Sequence, residues 1–193
     1  MRVVFTMLLV SLVACGRQTA PPPAYGRLPA FDLVAESGRA FGSADLAHKV
    51  WIANFIFTRC PTICPAFSAK MALVQKKIRS FGGAVQLVSF SVDPEYDTPP
   101  RLQAYAARYG ADQALWTFLT GPLDEIKAVV KDGLKVAMGK QEGGGDDVAA
   151  IFHGTYFVVL DADMQIRGYV DSNDATAVQQ VVALAGRVVA GGG

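Results

Sequence analysis

Val50-Trp51-Ile52-Ala53-Asn54-Phe55-Ile56-Phe57 runs directly into Thr58-Arg59-Cys60-Pro61-Thr62-Ile63-Cys64-Pro65. The first eight residues are apolar, aromatic or β-branched with one interruption, Asn54. Such a run suits a central strand buried on both faces. Beyond it Met71, Val74, Ile78 and Phe81 recur every three or four positions, so a helix is expected over 65–81, stopped by Gly82-Gly83. Two cysteines therefore sit where a buried strand turns into a helix.

The same alternation continues outward. Strands are expected at 85–92 and 115–119, with helices at 99–109, 123–131 and 175–190. A hairpin is expected from 155–160 and 165–170 around Asp161-Ala162-Asp163, and a short strand within 28–34. Thr98-Pro99-Pro100 reads as a helix N-cap and its first residues. Strands alternating with helices imply an α/β chain with helices on both faces of one sheet. Trp51, Trp116 and Met71 fall on core positions, and Met138 and Met164 read as packing residues. Gly139 to Asp147, with Gly143-Gly144-Gly145 and no apolar anchor, is expected to be a mobile surface loop.

The start of the chain has a different character. Arg2 precedes an apolar run from Val3 to Ala14, too short to cross a bilayer comfortably. Leu12-Val13-Ala14-Cys15 is similar to a bacterial lipoprotein box, in which Cys15 becomes the lipid-bearing first residue; the alternative is an ordinary signal peptide with a chance cysteine. The expected organisation is a signal peptide over 1–14, a proline-rich tether over 15–27 containing Pro21-Pro22-Pro23, and a folded domain over 28–193. Loss of the leader removes Arg2 and no acid, which leaves 17 basic and 17 acidic residues. A chain so balanced has no basic stripe, and nucleic acid is excluded as a partner class.

Export leaves Cys60 and Cys64 as the only unmodified thiols, in a compartment that permits disulfides. A bridge closing so few residues constrains the unfolded chain little, so the pair is expected to do chemistry. Helix N-terminal amides favour thiolate, which is both a nucleophile and a metal ligand. Position alone therefore leaves redox and metal roles open. Two histidines are available. His48 precedes the central strand at the opposite end and reads as a surface residue. His153, in Ile151-Phe152-His153-Gly154-Thr155, reads first as structural or solvated, although the glycine-rich loop beside it would let it swing towards the cysteines. Two thiolates and an imidazole suit copper better than a structural zinc, which takes four protein ligands.

Phe57-Thr58-Arg59-Cys60-Pro61-Thr62-Ile63-Cys64-Pro65, Ser91-Val92-Asp93-Pro94-Glu95-Tyr96-Asp97-Thr98-Pro99, and His153 with Thr155-Tyr156-Phe157 together resemble the Sco/SenC family. The resemblance extends from about Phe31 to the C-terminal helix. It implies a thioredoxin-like fold with a central mixed sheet, and a role in copper delivery to cytochrome c oxidase. It implies Cys60, Cys64 and His153 as copper ligands, with Asp93 close to the metal, although Asp-Pro after a strand is also a common turn opener. Thr62 stands where some relatives carry an acid, and Gly154 where they often carry serine.

The resemblance implies a metallochaperone, a binding protein in place of an enzyme, tethered outside the cytoplasm. Its copper, as Cu(I) or Cu(II), would pass to the dinuclear CuA site of cytochrome c oxidase subunit II. Other periplasmic copper carriers and thiol reductases are further expected partners. A lipid on Cys15 would hold it on the periplasmic face of the bacterial cytoplasmic membrane. The competing reading is a thiol–disulfide reductase that keeps the oxidase's copper-site cysteines reduced, with Cys60 and Cys64 as the redox pair. Lesser alternatives are a peroxidase with Cys60 as nucleophile beside Arg59, and an inert disulfide.

Overall fold

The computed structural model describes residues 22–144 and 147–192; the leader and Cys15 lie outside the described residues. The chain runs β1 (Asp32–Ala35), β2 (Ala40–Gly42), β3 (Val50–Ile56), α1 (Ile63–Ile78), β4 (Val85–Ser91), α2 (Pro99–Arg108) and β5 (Trp116–Thr120). It continues through α3 (Leu123–Lys127), β6 (Met138–Lys140), β7 (Ile151–His153), β8 (Tyr156–Leu160), β9 (Ile166–Asp171) and α4 (Ala177–Ala190). Seven strands form one sheet in the order β2-β1-β5-β4-β3-β8-β9. β3, β4 and β5 are parallel, while β1, β8 and β9 join antiparallel, so the sheet is mixed as expected.

Every residue of β3 is buried because its alternate side chains enter two separate cores. Trp51, Ala53, Phe55 and Phe57 pack with Ile126 of α3 and with Val129 and Val130 beyond it. Val50, Ile52 and Ile56 pack with Met71 and Val74 of α1, Leu102 of α2 and Val181 of α4. Each such side chain contributes roughly 1.5–3 kcal/mol on burial. The strand that carries the cysteine turn is thus anchored from both faces.

Two expectations are corrected. Ordered pairing begins before Leu28: Tyr25 N–H donates to the Ile166 carbonyl and Ile166 N–H to the Gly26 carbonyl, both at 2.8 Å. Arg27 bridges Gln165, and Arg167 donates to the Pro22 carbonyl at 2.8 Å. The outer edge of β9 offers unpaired backbone groups, and an extended proline-rich segment satisfies them without any side-chain periodicity. The second correction concerns the glycine-rich segment, which does not behave throughout as a free loop. Met138–Lys140 pairs antiparallel with Ile151–His153 as a two-stranded ribbon, and Met138, buried as a packing residue as expected, anchors its start.

Candidate metal centre

β3 and β4 are parallel, and the chain leaves both at the same end of the sheet. Diverging connections at such an end leave a crevice where α/β proteins bind ligands. β3 supplies the turn with both cysteines, β4 supplies Asp93 to Asp97, and the ribbon supplies His153 from the antiparallel side.

Cys60 N–H donates to the Phe57 carbonyl at 3.2 Å and closes a turn. The helix starts at Ile63, so Cys60 lies on the turn and Cys64 in the first helical turn. The pair is therefore not a simple i,i+4 couple on one helical face. Both thiols are free and buried. Cys64 Sγ lies 3.4 Å from His153 Nε2. His153 Nδ1 lies 3.0 Å from the Gly154 carbonyl, which can only accept, so the proton is on Nδ1 and the Nε2 lone pair faces the thiol. The ring also meets Phe57 edge-on, with centroids 5.9 Å apart. Strand pairing with Met138 fixes His153 in place; it need not swing.

The two sulfurs differ in electrostatics. Burial pushes the Cys60 thiol up, but the backbone N–H groups of Cys64, Thr62 and Ile63 and the Cys64 thiol outweigh it, so Cys60 ionises below the ordinary thiol range. For Cys64 burial dominates, and its Cys60 and Asp97 neighbours add to it, so this thiol is pushed well above that range. Burial lowers His153, partly offset by its bond to the Gly154 carbonyl. At neutral pH the site thus offers a thiolate-prone sulfur, a protonated sulfur and a neutral imidazole. Among the described residues no three Cys, His, Asp or Glu side chains already stand as a metal-ligating group. Cys60 must close onto the Cys64–His153 pair, and Cys64 must lose its proton, for all three to share one ion. Two soft sulfurs and an imidazole match the preferences of copper.

The sequence profile of the SCO1/SenC family matches residues 20–187. The chain belongs to this family. Its fold is the thioredoxin-like fold of Sco structures. The Bacillus anthracis SCO1/SenC family lipoprotein is 32% identical, with a TM-score of 0.79 over 88% of this chain and 99% of that one. BsSco, a member of the Sco family of cytochrome c oxidase assembly proteins in which a disulfide switch was identified, is 30% identical, with a TM-score of 0.73 over 86% and 95% of the two chains. Arabidopsis thaliana ScoI with copper bound is 28% identical, with a TM-score of 0.70 over 82% and 98%.

Around the two sulfurs this Sco chain carries residues that sequence reasoning treated lightly or missed. Asp93 is buried and its carboxylate accepts from Arg59 Nε at 2.6 Å, so it meets the residue before Cys60 through the arginine. Arg59 and Arg101 both lie over the Tyr96 ring, at 4.5 and 3.9 Å from its centroid. Asp97 was not singled out at all. It is fully buried, and its carboxylate accepts from Thr58 N–H, Thr58 Oγ1–H and Ser91 Oγ–H. Burial raises its pKa, against these hydrogen bonds. The only available signal was a second aspartate in Asp93-Pro94-Glu95-Tyr96-Asp97, just past a buried strand. His48 is exposed before β3, away from the cysteines, as expected.

Proposed function

We propose that this Sco chain is a membrane-tethered copper metallochaperone that holds one ion through Cys60, Cys64 and His153. Its destination is the dinuclear CuA site of cytochrome c oxidase subunit II. The observation that carries the reading is the Cys64–His153 contact, which places an unprotonated imidazole nitrogen against one sulfur of a free pair. Copper bound by the Arabidopsis relative supports it, as does the oxidase-assembly role of the Sco family to which BsSco belongs. Cys60 ionises more readily and makes first contact with the arriving ion; Cys64 then gives up its proton as the ion draws the buried sulfur in. Three ligands leave room for an incoming thiolate of the acceptor, so the ion can be exchanged one ligand at a time without being released. Lipidation of Cys15 would keep the protein on the periplasmic face of the cytoplasmic membrane, within reach of an oxidase; the lipoprotein box and the lipoprotein relative support this.

A second reading, thiol–disulfide reduction of the acceptor's cysteines, is favoured by the unequal thiols. Cys60 thiolate would attack the target disulfide and release one target thiolate; Cys64 would then lose its proton, attack Cys60 and release the second. The protein ends as the disulfide and the target gains two electrons and two protons.

Copper titration of a reduced fragment starting at Pro22 separates the two, beside His153→Ala and Cys60→Ser. The chaperone reading expects one equivalent bound tightly by the parent and clear weakening in both variants. If His153→Ala binds like the parent, or the parent binds none while its disulfide cycles readily, reduction becomes the primary role.

A further inference from the structure

Asp97 carries a buried carboxylate for which the described cations offer no ion pair. Burying such a group costs several kcal/mol unless hydrogen bonds compensate. Among the described residues its compensation comes from two places. Thr58 is held twice, by its backbone N–H at 3.0 Å and by its hydroxyl at 2.5 Å. Ser91, the last residue of β4, donates its hydroxyl at 2.6 Å. The carboxylate therefore ties the exits of two parallel strands together, with its grip on Thr58 two residues ahead of Cys60. A second strap, Arg59 Nε to Asp93, pulls the next residue towards the same segment.

We propose that Asp97 is a positioning residue: by anchoring Thr58 it holds the turn against the movement that would bring Cys60 within bonding distance of Cys64, and the pair persists as an open dithiol. The two sulfurs are unbonded in this arrangement. A disulfide needs them about 2.05 Å apart, so closing one has to move the turn or the first turn of α1. The anchor opposes movement of the turn, while Cys64 is committed to His153. The two thiols of the proposed centre are thus kept unbonded by a side chain that does not touch the metal. The inference concerns the same cysteine pair as the copper reading, but it is tested without copper.

The full chain, purified in detergent, is equilibrated with mixtures of reduced and oxidised dithiothreitol. Cys60 and Cys64 together give up two electrons and two protons, and oxidised dithiothreitol takes them up. The fraction of protein disulfide is read by mass spectrometry after acid quench and alkylation. Thr58→Val removes the hydroxyl donor, Thr58→Ser restores it, and Asp97→Asn removes the charge; circular dichroism checks each fold. Thr58→Val is expected to shift the equilibrium towards protein disulfide by about tenfold, a change in potential of about 30 mV, with Thr58→Ser within about twofold of the parent. Asp97→Asn should shift the same way; if it fails to fold, the two Thr58 variants decide alone. A Thr58→Val equilibrium unchanged from the parent, or a Thr58→Ser shift as large as that of Thr58→Val, overturns the proposal. If Thr58→Val shifts as expected while no form binds copper, the positioning role stands and the metallochaperone reading falls.

Discussion

Cys60 sits on a turn outside the helix, at the rim of the core, with three backbone N–H groups lowering its pKa. Cys64 sits in the first turn of α1, fully sealed, with His153 against its sulfur. Four residues separate them, and their acidities move in opposite directions. The difference teaches that a motif does not assign one role to both of its cysteines. Local backbone donors lower the pKa of Cys60, whereas burial raises that of Cys64.

The largest test of this contrast removes the distant partner. His153→Ala should weaken copper binding by about 100-fold or more, since losing even a residue that only orients a ligand costs roughly 10–100-fold; competition with a chromophoric copper chelator measures it. Parent-like affinity would mean that Cys64 owes nothing to His153. A second test reads the sulfurs directly. Brief alkylation with iodoacetamide at neutral pH should label Cys60 in at least about tenfold excess over Cys64, because thiolate is the reactive form. Equal labelling in peptide maps would erase the asymmetry.

A smaller effect concerns what holds the histidine. A Cβ added at Gly154 would lie 2.8 Å from Val136 Cγ1, tighter than packed side chains allow. Gly154→Ser should therefore cost about 1–3 kcal/mol in denaturant unfolding, as overpacking does, and Val136→Ala in the same chain should recover most of it. Absence of recovery would show that this contact is not what makes Gly154→Ser costly.

The smallest effect is in pH. Burial lowers the pKa of His153 in the folded chain. Below about pH 6.5 the unfolded chain takes up a proton there that the folded chain refuses, so stability falls as pH drops through that value. Thermal midpoints measured at about pH 7 and about pH 5 should fall further for the parent than for His153→Phe. Equal falls would indicate that His153 is not buried away from protons.

Much of the architecture was legible. Continuous apolar character marked β3, and three- and four-residue spacing marked α1, because burial on two faces or one leaves a periodic trace in sequence. The edge pairing of Tyr25 to Arg27 left none, since it uses backbone groups that every residue has. The β6–β7 ribbon was hidden by its glycines, and its strands of three residues are too short to show alternation. At the site, Cys60, Cys64 and His153 were named from spacing and family resemblance, whereas Asp97 was passed over. An aspartate just past a strand looks the same whether it opens a turn or lies buried.

From sequence alone came the sheet's central strand, the order of elements, the placement of two thiols at a helix start, and the donor types that suit copper. Those properties are encoded locally, in side-chain chemistry and spacing. Only the tertiary structure decided that Cys64 meets an imidazole 89 residues away and that Asp97 grips a threonine 39 residues back. It also decided that one thiol ionises readily while the other resists. Acidity depends on desolvation and on which donors surround a group, and both are set by chain segments that meet only when the sheet has closed.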